Sequence, residues 1–211
     1  MPRTKPASER RADLLDGARS AFVAKGVAAA TLEDITTAAG VSKGLFWQYF
    51  RSKDDVVAAL QHEYSAQFAG AVRAAVAGVP DWPGKLDACV QACFDQFQLE
   101  KELHDVLFRH PAHATAGPGD EPAHHVLVEA IRALLADGTA AGAFDVADPE
   151  VVAYLLYATM HAFDPAFRGG NRTPDEQLVS AAQRLFRRSV GAADWERLSI
   201  THAIAYKAGT E

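Results

Sequence analysis

Ala39-Gly-Val-Ser-Lys-Gly-Leu-Phe-Trp-Gln-Tyr-Phe50 is the stretch on which the reading of this chain turns. Gly40 marks the end of one helix and Ser42 the cap of the next, so two helices meet at Ala39-Gly40-Val41. Phe46 and Phe50 stand four apart and share one face of the second helix. The faces they leave free carry Lys43, Leu45, Trp47, Gln48 and Tyr49. Lysine and glutamine hydrogen-bond base edges, leucine and tryptophan pack on thymine methyls or sugars, and Tyr49 and Lys53 reach phosphates. A leucine and a tryptophan left exposed beside a lysine ask for a partner.

Upstream, Leu14, Ala18, Ala21 and Phe22 mark the inner face of a first helix that ends near Lys25-Gly26. Thr31 offers an N-cap, with Asp34 three residues on in a shortened capping-box pattern, and Leu32, Ile35 and Ala39 form a short apolar stripe. Three short helices in the first 50 residues have the lengths of a helix-turn-helix unit. Ser52 with Asp55 repeats the cap pattern and opens a long helix through about Ala77, a natural lever.

Beyond Gly78, Pro83, Pro122, Pro149 and Pro174 sit at first-turn positions and announce four more helices. These include Leu86 to Arg109, Glu121 to Asp137, and Pro149 to about Phe163. The last of the four opens at Thr173-Pro174-Asp175-Glu176, leads into the apolar Leu178, Ala181, Leu185 and Phe186, and carries Gln183, Arg184, Arg187 and Arg188 on its outer face. Pro111 to Pro122 reads as a loop or distorted short helix. Alternating Val, Ile and Thr runs are missing, so the fold class is all-α, with no internal repeat.

The 211 residues are 49% hydrophobic and 23% charged, a globular composition that excludes disordered, collagen-like and coiled-coil chains. The overall charge of −6 is unevenly placed. Residues 1–53 hold nine basic and five acidic residues, a net +4, and residues 54–211 hold twelve basic and twenty-two acidic, a net −10. A basic segment on an acidic body meets phosphate locally while the remainder resists nonspecific adhesion to nucleic acid. Two cysteines make no disulfide framework, and no apolar segment follows the basic start, so a cytoplasmic protein is expected. The longest uncharged apolar stretch, Val151 to Phe163, is 13 residues, short of a bilayer crossing.

The segments Thr31-Leu-Glu-Asp-Ile35, Ala39 to Phe50 and Ser52-Lys53 resemble the DNA-binding domain of the tetracycline-repressor (TetR) family over about residues 8 to 60. Ala143-Phe144 with Asp148-Pro149-Glu150-Val151 is similar to a C-terminal-domain feature of the same family. The resemblance implies a homodimeric repressor that reads half-sites of a palindrome and is released when its larger domain binds a small molecule. By position it implies phosphate contacts at Thr31, Ser42, Tyr49 and Lys53, and approach to bases at Lys43, Gly44, Leu45, Trp47 and Gln48. Leu45 stands where a small or hydroxylated residue is frequent, Trp47 where tyrosine is, and Arg51 where proline is.

Other readings compete at several places. Gly40-Val-Ser42-Lys-Gly44 matches the hydrolase elbow G-x-S-x-G, but the stretch before it is polar and helix-like where the elbow needs a buried strand. Cys89 and Cys93, one turn apart, share a soft metal or are buried small hydrophobes. His104, His110, His113, His124 and His125 fall within 22 residues and suggest a metal site, with Asp120 or Glu121, or the polar lining of a cavity, or plain surface histidines. Arg3, Lys5, Arg10 and Arg11 form a minor-groove arm over residues 1–8 or a solvated tail.

The expected division is a helix-turn-helix DNA-binding domain over 1–53 and a ligand-binding and dimerisation domain over 54–211. The expected effector is apolar or aromatic, bounded by Phe68, Cys93, Phe97, His104, Phe108, His125, Tyr157, Met160 and His161. Tyr154, Leu155, Leu178, Ala182 and Leu185 are the candidate dimer surface, because the Pro149 helix is apolar nearly all round. No cofactor, metal or catalytic residue is expected. The alternative is an all-α metal-dependent enzyme or metal sensor using the His104 to His125 cluster.

Overall fold

Helix punctuation in the first 80 residues is obeyed almost residue for residue in the computed structural model, which describes residues 6–108, 122–165, 167–169 and 173–191, without the side chains of 122–124. The first helix, α1 (Ala7–Ala29), loses helical geometry at Gly26, whose φ of 77° and ψ of 155° an L side chain rarely adopts. Then come α2 (Leu32–Ala38), α3 (Lys43–Tyr49) and α4 (Lys53–Ala77). Next are α5 (Trp82–Leu99), α6 (Lys101–Phe108), α7 (Pro122–Ala140), α8 (Pro149–Thr159) leading into a 3-10 turn at Met160–Phe163, and α9 (Asp175–Ser189). Among the described residues there are nine α-helices and no strand, the expected all-α class.

These residues form two compact units. The first takes the chain up to Ser65 and the stretch from Glu100, and the second takes Ala66–Leu99 and the residues from His124 onward. In the first, Leu14, Leu15, Ala18 and Phe22 of α1 are buried with Ile35 of α2 and Phe46 of α3. Gly17 lets α1 and α2 touch. A Cβ added there would lie 2.7 Å from the Ile35 carbonyl oxygen and from the Ala39 nitrogen, and both are backbone atoms that cannot swing aside. Leu103 and Leu107 of α6 are buried in the same unit, where Gln61 Nε2 donates to the Leu107 carbonyl at 3.0 Å.

Three expectations need correction. The Leu86 to Arg109 helix is two helices, α5 and α6, broken at Glu100. Neither glycine nor proline marks the break. Glu100 is held by Arg19 of α1 at 3.1 and 3.3 Å, and α6 then turns Leu103 and Leu107 into the first unit's core, so long-range contacts decide it. As a result five α-helices, not four, follow Gly78 among the described residues.

The last helix begins at Asp175, one residue later than a Thr173 cap requires. Pro174 holds an extended ψ of 142° and makes no side-chain cap, while its carbonyl accepts from Gln177 and Leu178. Arg187 does not face outward. It is 5% exposed, with Nε donating to Asp87 Oδ1 of α5 at 2.7 Å and Nη2 to Asp87 Oδ2, while Gln183 Nε2 reaches the Asp87 carbonyl at 3.2 Å. A helical wheel records only that Arg187 follows the buried Phe186; the carboxylate that makes its burial tolerable comes from another helix.

Gly17→Ala is expected to destabilise the first unit by roughly 1 to 3 kcal/mol, since two backbones must part to admit the methyl. Chemical denaturation followed by circular dichroism checks this, with a stability equal to wild type refuting the close approach.

Candidate nucleic-acid interface

The interface candidate is α2, the turn after it, and α3. Thr31 accepts from the Asp34 N–H at 3.2 Å while Asp34 Oδ2 accepts from the Thr31 N–H at 2.9 Å and its hydroxyl at 2.8 Å, so the capping box of α2 closes. At the other end, the Val41 N–H donates to the Thr36 carbonyl at 3.0 Å and the Gly40 N–H to the Thr37 carbonyl at 3.1 Å. This pair is the Schellman arrangement, and it requires the φ of 65° that Gly40 holds. Ser42 then caps α3, its Oγ accepting from the Leu45 N–H at 3.3 Å.

Phe46 is fully buried and Phe50 is 4% exposed, whereas Trp47 is 58% exposed. The Phe46 ring meets Trp47 edge-on at 5.2 Å and Phe50 at 5.7 Å. Thr31, Ser42, Lys43, Gly44 and Gln48 are exposed, and Leu45, Tyr49 and Lys53 are half-buried. Arg11 of α1 lies over the Phe50 ring at 5.3 Å and within 3.4 Å of Glu63. The rest of the expected basic arm, Arg3 and Lys5, lies outside the described residues.

Two acids of α2 shape the charge here. Glu33 pairs with Lys43 at 3.0 Å, both well exposed, and Asp34 pairs with Lys25 at 2.7 Å. The Lys25 ammonium, with the Thr31 N–H and hydroxyl, lowers the Asp34 pKa from 3.8 to about 2. Sequence reading missed the Glu33 pairing, because ten residues and a turn separate it from Lys43. Lys53, expected at a phosphate, donates here to the carbonyl oxygens of Val27 at 2.6 Å, Ala28 at 3.2 Å and Ala30 at 3.1 Å.

The expected effector residues fall in both units. His104 and Phe108 group with Tyr64 in the first, at ring separations of 5.9 and 5.4 Å from it. Phe68, Cys93 and Phe97 are buried in the second, with Tyr157 and Met160 half-buried and His125 and His161 exposed. Burial and its neighbour Cys89 push the Cys93 thiol up, so it stays protonated at neutral pH and packs as a small hydrophobe. The rings of Tyr157 at 5.5 Å and Phe167 at 6.2 Å flank His161, and desolvation lowers its pKa against the opposing charge of Asp164. His110, His113, Asp120 and Glu121 lie outside the described residues, as does the His124 side chain. No cluster of three metal-ligating side chains occurs among the described residues, nor does any helix there have the length and apolarity to cross a membrane.

Of the candidate dimer surface, Tyr154, Leu155 and Leu185 are 42, 61 and 52% exposed, and Leu178 and Ala182 are half-buried. Val151, also on α8, is 53% exposed.

Residues 14–60 match the family of bacterial regulatory proteins, tetR family. Over that stretch the chain is similar to the TetR family. It is 33% identical over 103 residues to the transcriptional activator FasR of Mycolicibacterium smegmatis, covering 49% of this chain and 47% of that protein. It is likewise 33% identical over 92 residues to the transcriptional repressor KstR2 of Rhodococcus jostii, covering 44% and 45%. The matched region thus spans about half the length of these curated relatives. In fold, the chain resembles the regulator FadR of Bacillus subtilis in complex with stearoyl-CoA, at a TM-score of 0.68 and 15% identity over 83% of this chain and 96% of that one. The matched stretch takes in α2 and α3, within a helical chain.

The low pKa of Asp34 sets a pH dependence. A carboxyl bound more tightly as the anion in the folded state stabilises above its unfolded value of 3.8, and that share is lost as pH falls through about 2. Asp34→Asn is therefore expected to lower the melting temperature at pH 7, with the gap to wild type closing between pH 4 and 2. A gap independent of pH would refute the ionic part. Thr31→Ala is expected to cost about 1 kcal/mol by removing the cap.

Proposed function

We propose that this chain is a cytoplasmic, homodimeric repressor of the TetR family that reads half-sites of a palindromic DNA operator and is released by a small apolar or aromatic effector. The observation that carries the reading is the sidedness of α3: a capped seven-residue helix with Phe46 sealed inside and Trp47 beside it in solvent. In this reading Lys43, Gly44, Leu45, Trp47 and Gln48 approach bases in the major groove. Thr31, Ser42 and Tyr49 meet phosphates. Residues 1–53 serve as the operator-binding domain and 54–211 as the effector and dimerisation domain.

The work is binding only, with no catalytic step and no cofactor. Lys43 leaves Glu33 to meet a base, an inexpensive exchange, since exposed ion pairs contribute about 0 to 1 kcal/mol. Tyr154, Leu155 and Leu185, with Leu178 and Ala182, meet their copies in the partner subunit, which covers apolar surface that a lone chain leaves in water. Phe68, Cys93, Phe97, Tyr157 and Met160 supply the apolar and aromatic lining for the effector, with His161 beside Tyr157. Release requires the effector to favour one arrangement of the two recognition helices, since equal affinity for both shifts nothing.

Selection of bound sequences from random duplex DNA tests the reading directly, and a wild-type protein with no preference among duplexes refutes it. Lys43→Ala and Gln48→Ala are each expected to lose roughly 1 to 3 kcal/mol of discrimination at particular base pairs. Equal weakening on every sequence removes the base-reading role. Leu155→Asp is expected to shift the mass by light scattering from twice the chain mass to once, and a wild type already monomeric at micromolar concentration refutes the dimer.

A further inference from the structure

Lys53 is the first residue of α4, and its ammonium is occupied. An ammonium has three protons and no acceptor. The structure gives one to each of three carbonyl oxygens, Val27, Ala28 and Ala30, at 2.6, 3.2 and 3.1 Å. These oxygens converge because Gly26 leaves helical geometry at φ 77°, and the chain turns with the Ala30 N–H bonding back to the Gly26 carbonyl at 3.1 Å. The regular helical ladder has ended there, so the oxygens have no N–H partners from a following turn. Val27 and Ala30 are buried, which makes losing an acceptor's partner costly. Ala30 also precedes Thr31, the cap of α2. Lys53 therefore joins the segment that leads into the helix-turn-helix to the first turn of the helix that leaves it.

We propose that Lys53 is a positioning residue for operator binding: its ammonium sets the approach of α2 and α3 to DNA by tying the Val27 to Ala30 turn to the start of α4, and it neutralises no phosphate. This inference rests on the operator-binding reading above. The two roles differ measurably. Each neutralised phosphate adds about 0.9 to the slope of log affinity against log salt, whereas a tie between backbone segments adds nothing to it. Charge alone does not substitute for the tie either, since a planar guanidinium cannot place three protons on the points an ammonium reaches.

The experiment uses the full chain and the operator recovered by selection from random duplex DNA. Affinity for that operator and for a scrambled duplex is measured from low to high salt for wild type, Lys53→Met and Lys53→Arg, each confirmed folded by circular dichroism at the assay temperature. Both variants are expected to lose about tenfold or more in operator affinity with an unchanged salt slope and little change on the scrambled duplex. A slope lowered by about one per protomer in Lys53→Met, with Lys53→Arg restored to wild-type binding, would identify a phosphate contact and overturn the proposal. Wild-type operator affinity in both variants also overturns it, leaving a tie that stabilises the fold and nothing more. If Lys53→Met does not fold, Lys53→Arg alone decides, because a phosphate contact tolerates it and the carbonyl tie does not. A wild type that selects no sequence fails the operator reading, a result separate from any outcome in the variants.

Discussion

Seven residues of helix cannot hold themselves in water, because nucleation fixes several residues before the first bonds compensate. Lys43–Tyr49 exists because Phe46 is buried without remainder in the unit whose core also holds Leu14, Ala18 and Phe22 of α1. Burial of a phenylalanine contributes about 1.5 to 3 kcal/mol, more than the roughly 1 kcal/mol of a typical cap or the about 0 to 1 kcal/mol of an exposed ion pair. The same anchoring sets the orientation of α3. With Phe46 turned in, the roughly 100° step to the next residue puts Trp47 out, and Lys43 and Gln48 follow on exposed faces. Two glycines permit this for different reasons: Gly17 lets α1 and α2 approach to backbone contact, and Gly40 supplies the left-handed residue that ends α2.

The two ion pairs made by α2 are exposed and reversible, whereas the pair that joins α5 to α9 is not. Glu33 holds Lys43 and Asp34 holds Lys25 at sites where water and salt screen the attraction, so neither lysine is fixed to its carboxylate. Lys53 differs, since its partners are backbone oxygens that have nowhere else to turn. In the second unit Arg187 and Asp87 are joined by paired hydrogen bonds with the arginine buried. Loss of either partner there strands a charge away from water, which costs about 3 to 5 kcal/mol. That pair fastens α5 to α9, one of the two helices that carry the exposed apolar side chains Tyr154, Leu155 and Leu185.

Much of this was readable before any coordinates. Gly26, Thr31, Gly40, Ser42 and Ser52 act within three or four residues of themselves, through a left-handed φ or a side-chain oxygen on a nearby N–H, and each does in the structure what its neighbours imply. The inward Phe46 and outward Trp47 follow from helical spacing alone. Other features involve partners far along the chain. Glu100 breaks a helix because Arg19, 81 residues away, claims it. Arg187 is buried because Asp87, 100 residues away, meets it.

Lys53 shows the same limit in one side chain. Its position after Ser52 puts a cation at the start of α4 and beside the helix-turn-helix, and that much any reader of the chain obtains. Whether the cation faces solvent or three carbonyls depends on where the turn after Gly26 comes to rest, 23 to 26 residues earlier. Short-range chemistry thus sets the helices, their ends and their faces, because caps and periodicity involve only neighbours. Which acceptors a cation meets is settled by packing, because only the assembled unit brings distant carbonyls and carboxylates within reach.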